Sequence, residues 1–246
     1  MESKYVPAQV KKELQALANK EKAKQLKGFF KTRKGEYAEG DKFLGVVVPD
    51  QRAVAKKYYK DISLGGIALL LKSVYHEIRM TALLMLVNKM EKTKDAKKHE
   101  AIVACFMKNL DAVNNWDLVD LAAPSILGKY LFDKDKTLLY EFAASDSLWK
   151  KRIALLATFY FIKHSHFDDT LAICEMLMDS NTHDLIQKSI GWILREIGKR
   201  DIDKEKEFLD KYAATMPRIS LRYALEHFSE EQKEFYMKLE EVAHPL

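Results

Sequence analysis

Trp116, Asp117 and Asp120 fall in the stretch AVNNWDLVDLAAPSILGKYL, Ala112–Leu131. A separation of four places Trp116 and Asp120 on one helix face, one turn apart. In a chain of net charge +5, an exposed-looking indole beside a carboxylate at the head of an apolar helix is a candidate for chemistry, although a tryptophan in that position also commonly caps a core. Pro124 has no N–H, so the Asp120 carbonyl loses its helical partner and the backbone is expected to kink there. Asp117 sits in the first turn, where an acid also serves the helix dipole. Asp120 lies beyond that turn and has no such local need.

Other combinations are weaker. His164 and His166, in "HSH", lack a third ligand at useful spacing and end a helix, where histidine is favoured in any case. "LGGIALLL" has neither the lysine nor the spacing of a phosphate-binding loop. No nucleophile elbow or zinc-finger spacing appears, so no metal and no cofactor is expected. Cys105 and Cys174 stand in apolar helical stretches and read as buried thiols of a reducing cytosol. The longest apolar runs, "IALLL" and "ALLMLV", are too short to span a membrane, and "MESKYVPAQVKKELQ" lacks a signal-peptide apolar region. A cytoplasmic protein is expected.

The elements that must position Trp116 and Asp120 are helical. The chain has 246 residues, 48% of them hydrophobic, 31% charged, with nine Gly and five Pro. That balance disfavours turn-rich β architectures and suits helices with a solvated face. The fold class is all-α. Helical periodicity runs from Pro49 onward, through segments such as "PDQRAVAKKYYK", "SLGGIALLLKS", "YHEIRMTALLMLVNKME", "SLWKKRIALLATFYFIKHS" and "FDDTLAICEMLMDS", to "THDLIQKSIGWILREIGKR" and beyond. Only "FLGVVVPD" looks extended. It reads as a link between a helical lead-in (1–48) and the repeats (49–246) of a single domain.

Trp116, Arg152 and Trp192 lie on alternate helices at separations of 36 and 40, and 37 residues before Trp116 stands Arg79. Recurrence at this spacing predicts HEAT-like helix pairs stacked as a solenoid, a curved right-handed superhelix whose second helices line one concave surface. Arg79, Lys150, Lys151, Arg152, Lys188, Arg195, Lys199 and Arg200 fall on the helices assigned to it. A basic concave groove suits a nucleic-acid backbone. The same lysines are also compatible with ordinary solvated helix faces.

Nearly end to end, the chain resembles the AlkD family of DNA alkylation-repair glycosylases. The likeness is carried by "FFKTRKGEYAEGDKFLGVVVPD", "YHEIRMTALLML", "NNWDLVDLAAPSILGKYL", "LWKKRIALLAT", "QKSIGWILREIGK" and "MPRISLRYALEHF". It implies a HEAT-like solenoid, a catalytic aspartate at Asp120, lesion-facing tryptophans at Trp116 and Trp192, and an active-site arginine at Arg152, three residues after Trp149. The implied substrate is double-stranded DNA carrying cationic alkylated purines, attacked without base flipping by a monomer that acts on nucleoid DNA. One departure stands out. The family often reads Gly-Val-Arg-Val-Pro where this chain has Gly45, Val46, Val47, Val48 and Pro49, so Val47 replaces an arginine. Two other functions are open to such a chain: a non-catalytic solenoid binding branched or distorted DNA, and a protein-interaction scaffold.

Overall fold

The computed structural model describes residues 5–178 and 183–239. The Asp-Ser end of "FDDTLAICEMLMDS" and the threonine that opens "THDLIQ" lie outside them. The described residues are helical, with no strand among them; a lone bridge pairs Lys42 with Tyr75. The chain divides into two compact units between Tyr130 and Leu131, a boundary that the sequence reading did not mark.

The first unit contains α1 (Tyr5–Ala16), α2 (Lys20–Phe29), α3 (Val48–Tyr58), α4 (Leu64–Leu71), α5 (His76–Lys92), α6 (Ala96–Lys108) and α7 (Trp116–Ala123). A π-helical turn at Pro124–Gly128 and the short α8 (Lys129–Leu131) follow. Side-chain caps start several of these helices by meeting orphan N–H groups, each worth about 1 kcal/mol. Ser63 accepts from Gly66 N at 3.1 Å, and Asp95 from Lys97 N at 2.9 Å. Pro49 occupies the first turn of α3, as its missing N–H favours. The expected extended link is present as irregular backbone up to Val47. α5 packs against α3 on one side and α7 on another, with α4 and α6 beside it. Helices three, five and seven are therefore consecutive neighbours, the arrangement of stacked helix pairs. Leu83, Met85 and Leu86 of α5 are fully buried, each stabilising the fold by about 1.5–3 kcal/mol.

The second unit contains α9 (Thr137–Ala144), α10 (Leu148–Ala157), α11 (Phe159–Lys163), α12 (Asp168–Leu177), α13 (Asp184–Gly198), α14 (Ile202–Tyr212), α15 (Arg218–Ala224) and α16 (Glu230–Lys238). The segment "SLWKKRIALLATFYFIKHS" is two helices, because Thr158 turns its hydroxyl back to donate to the Leu155 carbonyl at 2.6 Å and interrupts the ladder. α13 is the spine. Ile186, Ile190, Ile193, Leu194 and Ile197 are all fully buried, on the spacing of one helix face. It packs against α10, α14 and α15. Gly191 admits α15, since a Cβ there would strike the Ser220 backbone oxygen and Tyr223.

Candidate functional site

α7 begins at Trp116 because Asn115, buried and extended, accepts from Trp116 N at 2.8 Å. The indole is half-buried rather than exposed. It stacks on Phe30 at 5.4 Å between centroids and meets Phe29 edge-on at 5.9 Å. Phe30 in turn stacks on Phe43 at 5.3 Å, and both rings cover His76. The lead-in is thus part of the wall around Trp116. Asp120, one turn further along α7, is partly exposed. The helix gives way at Pro124 to the π-helical turn, as the missing N–H predicts. Such turns recur at functional sites.

His76 holds the start of α7. Its Nε2 lies 2.7 Å from Asp117 Oδ2 and its Nδ1 3.2 Å from Asp41 Oδ2. Burial opposes charge on this ring, yet the hydrogen bonds to Asp117 and Asp41 outweigh it and lift its pKa to about 9. The charged ring therefore donates to both carboxylates. Asp41 is buried too, which would raise its pKa, but the His76 hydrogen bond and the Arg79 charge hold it below the ordinary value. Asp117 also accepts from Leu118 N at 2.9 Å, so its first-turn role is joined to an ion pair. Beside this pair, Glu77 accepts from Leu44 N at 2.9 Å and Gly45 N at 2.7 Å. Gly45 has φ +84, and a Cβ there would strike the Asn19 backbone oxygen. The link is pinned at both ends of this contact.

Arg79 requires a correction. It was expected to contact DNA, but it is only 5% exposed. Its Nη2 reaches both Asp41 oxygens at 2.8 and 2.9 Å and Asn114 Oδ1 at 2.9 Å, while Nε and Nη1 donate to the Ala112 and Ser73 carbonyls. It is a buried strut between α5 and the approach to α7. Repeat register could not reveal that Asp41 takes its charge.

In the second unit, Arg152 of α10 is also 5% exposed. Its Nη1 donates to Leu185 O at 2.6 Å and Ser189 Oγ at 2.7 Å, joining α10 to the first turns of α13. Trp192, half-buried on α13, packs on Phe159 at 4.6 Å. Among the expected phosphate contacts, Lys188 pairs with Asp184 at 2.8 Å, Lys199 with Glu196 at 2.6 Å, Arg200 with Glu196 at 3.4 Å and Arg195 with Glu226. Lys150 is exposed over the Phe142 ring, and Lys151 is half-buried. His164 and His166 both pack on Phe132. Cys174 is fully buried, whereas Cys105 is only half-buried, contrary to its expected burial.

A cavity of about 370 Å³ opens beside Trp116 and Asp117, walled by Phe29, Phe43, Val47 and Met80. Val47, which stands where the resembled family often has arginine, is 43% exposed at this wall. No sequence signal marked this cavity or the pairing of His76 with Asp117. The hint was the acid beside Trp116, whose partner lies 41 residues away.

Residues 10–228 match the family described as DNA alkylation repair enzyme. The chain belongs to that family, whose substrate is DNA. It is similar in fold to a solved structure described as a predicted DNA alkylation repair enzyme from Enterococcus faecalis, at 16% identity and a TM-score of 0.68, covering 87% of this chain and 97% of that one. No curated protein matches the chain. No helix among the described residues is long and apolar enough to cross a membrane.

Proposed function

We propose that the protein is a monofunctional DNA glycosylase that hydrolyses the N-glycosidic bond of cationic alkylated purines, N3-alkyladenine and N7-alkylguanine, in duplex DNA. It would thereby initiate base excision repair. The observation that carries this is the pairing of a half-buried Trp116 with a partly exposed Asp120 on α7, in a member of the DNA alkylation repair family.

The chemistry needs one carboxylate. An alkylated purine already bears positive charge, so its glycosidic electron pair returns to the ring and a neutral base departs without protonation. A glycosidase acting on an ordinary sugar needs a second carboxyl group to protonate the leaving oxygen. Water bonds to the anomeric carbon as the C–N bond breaks; its proton passes to Asp120 and the sugar keeps the hydroxyl. At roughly 4 Å and an effective dielectric near 20, the carboxylate and the cationic sugar attract by about 4 kcal/mol. Expressed mainly in the transition state, that is about three decades of rate. Trp116 offers its electron-rich face to the same cation, adding about 0.5–2 kcal/mol.

From the second unit, Trp192 is assigned to the sugar and neighbouring backbone. Arg152 was expected to clamp a phosphate, but it is as buried as Arg79 and is assigned instead to holding α10 against α13 through Leu185 O and Ser189 Oγ. Lys150 and Lys151 are assigned to the backbone. Lys188, Arg195 and Lys199 join them by exchanging surface acids for phosphate, a trade made feasible by the small worth of exposed pairs. The enzyme is proposed to act as a monomer in the cytoplasm, on nucleoid DNA, without extruding the base.

Purified protein should release N7-methylguanine from methylated duplex DNA. Asp120→Asn should abolish release while duplex affinity stays within about twofold of wild type; undiminished release in that variant would defeat the assignment. Tight binding to branched DNA with no release from any substrate would favour the non-catalytic alternative.

A further inference from the structure

Residues 20–34 carry six lysines and Arg33 against one acid, Glu21, a net charge of +6 where the whole chain has +5. The remainder of the protein therefore sums to −1. All seven cations are exposed, and none forms an ion pair among the described residues. Several lysines elsewhere differ: Lys57, Lys188, Lys199, Lys204 and Lys233 each rest on a nearby carboxylate.

Lys20, Lys24 and Lys27 fall at i, i+4 and i+7 on α2 and form one stripe. They span about 10 Å along the axis, over which duplex DNA carries roughly six phosphates. Lys31 continues the row from a left-handed turn with φ +51, over the Tyr37 ring. Like charges at these spacings weaken a helix, and no residue of α2 itself is buried. The helix is instead held by a neighbouring face: Ala23, Leu26 and the adjoining Phe30 belong to the cluster that packs on Phe43 and Trp116. Lys22 and Phe29 line the cavity that also borders Trp116. A repelling row of cations is thus fixed beside the candidate catalytic helix.

We propose that α2 and the turn after it form a phosphate-binding edge that grips the backbone of duplex DNA beside Trp116, an inference that rests on DNA being the substrate. Each phosphate neutralised releases condensed counterion, so the edge sets much of the salt dependence of binding. Concentrated, unpaired charge of this kind also speeds encounter with a polyanion.

The test is the affinity for undamaged duplex DNA between 50 and 200 mM salt. With Lys20, Lys24, Lys27 and Lys31 all changed to glutamine, the slope of log affinity against log salt should become shallower by about 3 to 4. The corresponding arginine variant should keep the wild-type slope, and both should keep the wild-type helix content. Lys94, Lys97 and Lys98 changed to glutamine provide the control, with a slope change below about 1. An unchanged slope in the first variant, an equal change in the control, or retention by heparin without duplex binding each overturns the proposal. Wild-type protein that binds duplex with the expected slope yet frees no base removes the glycosylase reading and leaves this one standing.

Discussion

The two units each contain a half-buried tryptophan on a helix, and they accommodate buried ionisable groups by opposite electrostatic means. In the first, α7 starts against a buried His76 that bridges Asp41 and Asp117. That unit depends on charge being present. In the second, Glu205 of α14 is 2% exposed, with Oε1 accepting no hydrogen bond. Burial pushes the Glu205 pKa to about 8, with the Arg195 charge opposing. That unit depends on a charge being absent. A buried polar group can thus be tolerated either by full pairing or by staying neutral, and the two routes respond to different conditions.

The largest expected effect separates chemistry from both scaffolds. Asp120→Asn should lower single-turnover base release by about three decades, near 4 kcal/mol.

His76→Ala comes next. It strands the buried Asp41 and the partly buried Asp117 and should cost about 3–5 kcal/mol, whereas Ser189→Ala in the second unit should cost about 1 kcal/mol. Equal losses in denaturant titrations of the two variants would erase the contrast.

A pH series sharpens it. His76 has its pKa raised from 6.5 to about 9, so its stabilisation is complete below 6.5 and disappears as pH rises through 9. Glu205 is raised from 4.5 to about 8, so the loss it causes begins above 4.5 and is complete past 8. Glu205→Gln should remove the decline between pH 4.5 and 6.5, make that between 6.5 and 8 shallower, and raise the melting temperature at pH 8.5 by several degrees, on the order of 2–4 °C per kcal/mol. It should leave the fall near pH 9 intact. His76→Gln should do the reverse.

The smallest effect concerns close approach. Gly191→Ala forces α13 away from the Ser220 carbonyl and should cost about 1–3 kcal/mol, read as a shift in the denaturant midpoint.

Much of this arrangement was legible in local sequence. Ser63 caps the helix it precedes; Pro49 opens α3; Pro124 disturbs the backbone after Asp120. These signals act within four residues, a distance over which residue type constrains geometry. The His76 bridge joins positions 35 and 41 residues apart, and nothing in either segment names its partner. Arg79 was misread for the same reason: its type and register fit an inner-face cation, but its charge is taken by Asp41. The cationic lead-in was visible in composition, yet its bearing on Trp116 depends on Phe29 and Phe30 folding back onto α7.

The π-helical turn at Pro124–Gly128 has the character of one surplus residue wound into a helix. Excising a single position from it would rotate the side chains of α8 by about 100°, carrying Lys129 away from the Met90 carbonyl it now reaches at 3.1 Å. The aim of the short α8 is therefore indexed to a five-residue segment, and an insertion or deletion there would be felt first as misaimed neighbours while the hydrophobic content stayed the same.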